Sequence, residues 1–459
     1  MIICRPHRCV HFIGIGGIGM SGLAELLLSL GFSVSGSDLQ PSPITARLES
    51  LGARIQYNHL PVLIKQADIA VYSSAIRPDN PEWVFAQSRS KRLMRRAEML
   101  GDFMRMKFSI GVAGTHGKTT TTSLVGQILH EAGRDPTVIV GGILMNSGSN
   151  VLRGSGDIMV VEADEYDRSF LEMHPSMAVI ATIEADHLDC YADIVDIKNA
   201  FINYMNRVPF YGAVVACIDE PHVREALSKC TRPIITYGLD TTADYSARDV
   251  SFERSRTLFS LYRGNERLAA LTLALRGLHN VKNACGACAV ALEMGVDMGS
   301  IELGLSRFWG VQRRFEVKGV RRGITVIDDY AHHPSEIRAT LTAARKAGFN
   351  RIIAVFQPHL FSRTRDFMKG FAESLSEADE VFVTSIYKSR EDPIPGVCAS
   401  GIVEKMKENG HRHAHYVAAM ESIAEQLPAS LDQGDAVIIM GAGNISELCT
   451  TLLARIHDA

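Results

Sequence analysis

The sequence predicts an α/β protein of three successive domains, each an open, largely parallel sheet with crossover helices. Three observations carry that prediction. The chain has 459 residues, more than one hydrophobic core organises. Short apolar runs alternate with helical patterns from end to end, which is how parallel sheets with crossover helices read in sequence. Two glycine-rich loops, GIGGIGMSG at 14–22 and GTHGKTTTT at 114–122, each follow an apolar strand and open a helix. Such turns aim free backbone N–H groups and a helix dipole at an anionic phosphate.

The first domain, 1–106, runs CVHFIGI, GMSGLAELLLSLG, FSVSGSD and later ADIAVYSSAI. Gly14, Gly16 and Gly19 match G-x-G-x-x-G directly after a strand, and Asp38 closes the next strand. That spacing belongs to a Rossmann-like fold with an acid for a ribose. The motif alone leaves open whether the diphosphate belongs to NAD or to another nucleotide. The basic stretch RSKRLMRR at 89–96 reads as a solvated helix face or linker before the boundary near Met106.

The second domain, 107–311, reads as P-loop ATPase-like. Its loop is shorter than the usual pattern, because Val112 stands where the first glycine would be, leaving Gly114, Thr115, His116, Gly117, Lys118, Thr119 and Thr120. The parts still suffice: N–H groups cradle phosphate, Lys118 neutralises transferring oxygens and the Thr119 hydroxyl can ligate magnesium. The run IMVV delivers Glu162, Asp164 and Glu165 to its carboxyl end, and AVIATI delivers Glu184, Asp186, His187 and Asp189 likewise. Glu162 and His187 are the expected metal ligands, with Glu165, Glu184 and Asp189 expected as salt-bridged surface carboxylates. Cys285 and Cys288 fall in a small-residue helical stretch, where close packing is expected in place of zinc or redox chemistry. The third domain, 312–459, alternates ITVIDDYAHHP, RIIAVFQPH, EVFVTSIY and AVIIMGAGN and reads as a second Rossmann-like sheet. His411, His413 and His415 alternate as on an exposed edge strand.

A formal net charge of -3 gives no general attraction to nucleic acid. No apolar run approaches the roughly 18–20 residues of a membrane span, and residues 1–8 carry Arg and His in place of a signal core. Nine cysteines, an odd and scattered set, fit reduced thiols and a cytoplasmic location.

The motifs GIGGIGMSG, GTHGKTTTT, EADE, EADHLD, GLHNVKNA, GVQRRFE, DDYAHHPSE, FQPH with SRT, and GAGN follow one another along essentially the whole chain. Together they resemble the Mur ligase family. The resemblance implies an ATP-dependent, amide-forming ligase that joins L-alanine to the carboxylate of UDP-N-acetylmuramate through an acyl phosphate, in cytoplasmic peptidoglycan precursor synthesis. The alternatives are the tripeptide-recycling ligase using the same sugar nucleotide and, remotely, an NAD-dependent dehydrogenase; a nucleotide-binding regulatory module would explain the folds without the metal residues. The resemblance implies that Gly16, Gly17, Ile18 and Gly19, with Ser37 and Asp38, grip the UDP diphosphate. It places ATP at Gly114 to Thr120, one magnesium ion at Thr119 and Glu162, and a second near His187. His279, Asn280 and Asn283 are implied near the adenine, while Arg313, Arg314 and Asp329 reach the ATP from the third domain. His332 and Arg363 are implied to place the alanine. Catalysis is then carried by Lys118, Glu162, His187 and Arg313. Relatives that add later residues use a carbamylated lysine where this chain has Ile202, which agrees with the alanine-adding subgroup. The chain departs from the family pattern at Tyr166, at Leu360 and across 387–391.

Overall fold

The structure, a computed structural model, describes residues 9–145, 148–253, 256–389 and 391–458. The lead 1–8 and Arg390 of the departing segment lie outside the described residues. The chain forms two compact units.

The first unit holds the described residues up to Ala185, with Ala192–Tyr245 and Gly286–Gly304. Its first sheet has the order Arg54–Gln56, Ser33–Ser37, Cys9–Ile13, Ile69–Tyr72, Arg92–Arg95, all parallel. Val10, Phe12 and Ile13 are buried, as the central strand of a sheet covered on both faces requires. Ile13 pairs with Ser37 on one side and Tyr72 on the other, so the first glycine loop leaves the sheet where the strand order reverses. The fifth strand corrects the reading of RSKRLMRR. Arg92–Arg95 pairs with Ile69–Tyr72, and only Met94 of the four is buried.

The second sheet of this unit runs Ile234–Gly238, Ala213–Cys217, Met177–Ile180, Phe108–Ala113, Ile158–Ala163, Thr137–Ile139, Val151–Leu152, parallel except for the last strand. Phe108–Ala113 lies between the strand that ends in EADE and the strand that leads to EADHLD. The three therefore release their C-terminal loops side by side, as the apolar runs implied.

The second unit holds Asp186–Tyr191, Ser246–Cys285 and the described residues from Leu305 onward. Its main sheet has the order Glu316–Arg321, Ile324–Asp329, Asp435–Met440, Arg351–Phe356, Glu380–Val383, Ala414–Tyr416, parallel except for the first strand. Along Asp435–Met440 the side chains of Val437 and Ile439 enter one apolar cluster and those of Ile438 and Met440 the other. Two-residue alternation thus fills a core on each face. An antiparallel pair, Thr257–Arg263 with Glu266–Leu273, was not legible as such in the sequence.

Cys285 and Cys288 are buried in the helix Leu278–Glu293, consistent with packing. Of the three alternating histidines only His415 lies in the edge strand Ala414–Tyr416; the His411 ring bonds the Ala378 carbonyl instead, at 2.9 Å. No helix among the described residues is long and apolar enough to cross a membrane.

Candidate active site

The first glycine turn is pinned from the neighbouring strand. Gly14 and Ile15 both donate N–H to the Ser37 carbonyl at 2.9 Å, and the Gly16 N–H reaches Asp38 Oδ2 at 2.8 Å. The helix Ile18–Ser29 then starts at Gly17 with no capping side chain, which leaves its first N–H groups available to an anion. Gly16, Gly17, Ile18 and Gly19 thus shape the turn as expected. Ser37 requires a correction. Its side chain is fully buried, donates to the Glu82 carboxylate and lies 3.0 Å from His59 Nδ1, so only its carbonyl serves the loop. Glu82, itself buried, is held further by His11 and Gln56 at 3.0 and 3.1 Å.

A cavity of about 710 Å³ lies at the carboxyl end of Ile69–Tyr72, with Tyr72, Ser74, Arg95, Arg96, Arg168 and Arg207 in its wall. A Cβ on residue 19 would sit 3.0 Å from Arg96 Nη1, so this guanidinium lies against the glycine turn only because residue 19 has no side chain. Its four arginines share the wall with Asp167 and Glu172, and Arg168 is already paired with Asp196 at 2.6 Å; guanidinium groups so gathered are the kind that can orient an anion. Arg95 donates a side-chain hydrogen bond to the Tyr72 hydroxyl oxygen, which raises the arginine's pKa above its ordinary value. Sequence reasoning missed these arginines: the basic run gave no sign that Arg95 and Arg96 turn toward the loop, and Arg168 and Arg207 lie far from it in the chain.

The second loop follows Phe108–Ala113. Thr115 and His116 donate N–H to the Thr182 carbonyl and hydroxyl at 3.0 and 2.7 Å, and the Glu184 N–H donates to Thr115 Oγ1 at 2.8 Å. Gly117, at φ +81°, reverses the chain into the helix Lys118–Glu131, a backbone that residues other than glycine adopt at a cost of about 1 kcal/mol. Thr119 Oγ1 then donates to Glu162 Oε1 at 3.1 Å, and the Gly141 N–H holds Glu162 Oε2 at 2.7 Å. A hydroxyl and a fixed carboxylate are oxygen donors of the kind a hard divalent cation takes. Lys118 Nζ reaches both oxygens of Glu165, at 2.9 and 2.8 Å. Burial works against its charge, but Glu165, Asp164 and Glu162 outweigh it and hold its pKa above the usual lysine range. Glu165 is only 2% exposed, which overturns its expected place on the surface. Glu184, 3.6 Å from His116 Nε2, is half-buried, and Asp189 is exposed.

In the second unit, Arg363 Nη2 and Nε contact Asp186 Oδ1 at 2.8 and 3.2 Å, both side chains 6% exposed. Burial opposes the Asp186 charge, yet Arg363, His187, His333 and His332 hold its pKa far below the carboxylate range. The same oxygen accepts the His187 N–H at 2.7 Å and fixes His187 at φ +53°. Asp329 ends its strand accepting N–H from Ala331 and Phe315, both at 2.8 Å. Arg313 and Arg314 lie over the Tyr330 ring, 5.0 and 5.2 Å from its centroid. Arg313, Phe315 and Leu360 all adopt positive φ; such strain collects where a site must hold an exact shape. Asn280 donates to the Arg276 carbonyl at 2.7 Å and accepts from Asn283 at 3.3 Å. His332 lies 3.3 Å from Glu336. The departing segments meet here, with His359 stacked on Tyr387 at 5.8 Å and the Leu360 N–H bonded to the Tyr387 carbonyl at 3.0 Å.

Burial lowers His279 and His332 to about 4 and raises Asp329 to about 6. The two histidines, neutral when folded, gain protons on unfolding below their ordinary 6.5, so they destabilise the fold as pH falls. Asp329 acts oppositely between about 6 and its ordinary 3.8, where the folded carboxyl holds the extra proton. Two groups outweigh one. We expect unfolding to take up roughly one net proton between pH 6 and 5, lowering stability by about 2–3 kcal/mol between pH 6.5 and 4.5. Scanning calorimetry across that range checks this; a midpoint that holds or rises on acidification contradicts it.

Three family domains match in succession: Mur ligase family, catalytic domain, over 9–108; Mur ligase middle domain over 112–291; and Mur ligase, glutamate ligase domain, over 313–443. The UDP-N-acetylmuramate--L-alanine ligase of Salinibacter ruber is 49% identical over 95% of this chain and 93% of its own length. Among solved structures, the UDP-N-acetylmuramate-alanine ligase of Thermotoga maritima superposes with a TM-score of 0.83 at 30% identity, covering 98% of this chain and 100% of its own. A murein peptide ligase from Psychrobacter arcticus gives 0.73 at 26%, covering 98% and 99%. The three-domain α/β architecture is therefore shared, and with similarity running through both glycine loops and the whole third sheet, the chain belongs to the Mur ligase family.

Proposed function

We propose that this chain is an ATP-dependent ligase joining L-alanine to the carboxylate of UDP-N-acetylmuramate, in the cytoplasmic synthesis of the peptidoglycan precursor. The observation that carries the reading is one unit holding two phosphate-binding turns of different chemistry. One lies beside an arginine-lined cavity; the other carries Lys118, Thr119 and Glu162. The first suits the diphosphate of a sugar nucleotide and the second a triphosphate.

The γ-phosphoryl group of ATP passes to the muramyl carboxylate, breaking the bond to the β-phosphate oxygen and releasing ADP. The alanine amine attacks the resulting acyl phosphate, loses a proton, and the tetrahedral intermediate expels phosphate. Lys118 and the N–H groups of Gly114 to Thr120 stabilise the charge on the moving phosphoryl group, the main demand of such a transfer. A magnesium ion held by Thr119 and Glu162 would supply further charge neutralisation on the phosphates, and His187 is the proposed ligand of a second ion. Asn280, Asn283, Arg314 and Asp329 are assigned to the nucleotide and Arg313 to transition-state charge. His332 and the guanidinium edge of Arg363 turned away from Asp186 are assigned to alanine. Lys198, the lysine nearest Ile202, is bonded to Glu225 at 2.6 Å, which supports a mechanism without a carbamylated lysine.

Phosphate release from ATP and UDP-N-acetylmuramate, with alanine, serine, glycine or a murein tripeptide as acceptor, tests the reading. Release should require the sugar nucleotide and be fastest with alanine. Preference for the tripeptide would favour the recycling ligase, and tight NAD binding with no release would sink the ligase reading.

A further inference from the structure

We propose that Glu165 is the resident counter-ion of Lys118, which a nucleotide phosphate must displace, so that this carboxylate sets the affinity of the second loop and its preference for highly charged anions. The inference rests on 114–120 being a nucleotide site. An ammonium has three N–H bonds. Lys118 Nζ directs them at four acceptors: Gly114 O at 2.7 Å, Thr115 O at 3.3 Å, and the two Glu165 oxygens at 2.9 and 2.8 Å. All its donors are therefore committed before a phosphate arrives.

The two carbonyls belong to the loop itself, which the bonds from Thr115 and His116 to Thr182 hold in place. They cannot leave without dismantling the turn. Glu165 can, since it sits on a side chain and precedes Asp167 and Arg168, whose φ angles of 49° and 62° interrupt the short helical turn Tyr166–Glu172. The pair lies largely out of water, at 13% and 3% side-chain exposure, so Lys118 exchanges its partner only for another anion. A di- or triphosphate brings more charge than the carboxylate it replaces; a singly charged anion does not. The apparent affinity is then the intrinsic affinity reduced by the fraction of molecules in which Lys118 is available.

Calorimetric titration with ADP in the absence of magnesium tests this on four full-length proteins: wild type, Glu165→Gln, Lys118→Ala and the double variant. UDP-N-acetylmuramate titration serves as the folding control. Glu165→Gln should bind ADP at least about fivefold tighter, and the gain should vanish in the Lys118→Ala background. An unchanged or weaker affinity overturns the inference while leaving the nucleotide site standing. So does an equal gain without Lys118, which would make Glu165 a distant source of repulsion only. Wild type failing to bind ADP would overturn the nucleotide reading and this inference together. Should Glu165→Gln lose UDP-N-acetylmuramate binding, Glu165→Asp, with its carboxylate drawn back by one methylene, should show a smaller tightening in the same direction; none would count against the proposal.

Discussion

Lys118→Ala is expected to lower turnover by at least about a thousandfold while leaving UDP-N-acetylmuramate affinity within a factor of about three. Lys118 and the first glycine turn have separate surroundings. Among the described residues Lys118 bonds within its own loop and to Glu165, whereas the arginine-lined cavity and the first glycine turn are built from other residues. Removing the ammonium deletes the lysine charge of the second glycine loop and leaves the buried Glu165 without it, so some stability is lost as well. Phosphate-release kinetics and calorimetric titration with the sugar nucleotide measure the two effects independently. An affinity that fell as far as the activity would contradict the separation.

Arg363→Met should be the most destabilising single change at the site, costing the second unit about 3–5 kcal/mol. Asp186 depends on Arg363 for two short contacts in a place from which water is nearly absent. Methionine keeps the apolar stem and leaves the carboxylate uncompensated. The His187 N–H bonds that same oxygen, so the loss should also loosen the backbone of a proposed metal ligand. Chemical denaturation followed in wild type, Arg363→Met, Asp186→Asn and the double variant gives the coupling directly. A loss below about 1 kcal/mol in Arg363→Met would refute the structural weight given to the pair.

What the sequence disclosed were features with local causes. Gly117 is required by a left-handed turn and Gly16 to Gly19 by a strand that must become a helix within four residues, so both loops were legible from spacing alone. The buried strands were legible as well, because a sheet covered on both faces needs unbroken apolar runs. Features with distant causes were hidden. Glu162 and Glu165 leave the same strand end, and nothing in EADE says which carboxylate is buried; that is decided by Lys118, 47 positions away in the chain. Arg92–Arg95 shows one buried residue in four, too short a stretch for alternation to register. The buried pairing of Arg363 with Asp186 was hidden because the two lie 177 positions apart in the chain.

The two units are interleaved along the chain, which passes between them after residues 185, 191, 245, 285 and 304. During synthesis on the ribosome, the first unit therefore lacks its last segment until residue 304 has emerged, although both of its glycine turns are made within the first 122 residues. The order of manufacture and the order of completion of this unit therefore differ. Neither unit corresponds to one continuous stretch of the chain.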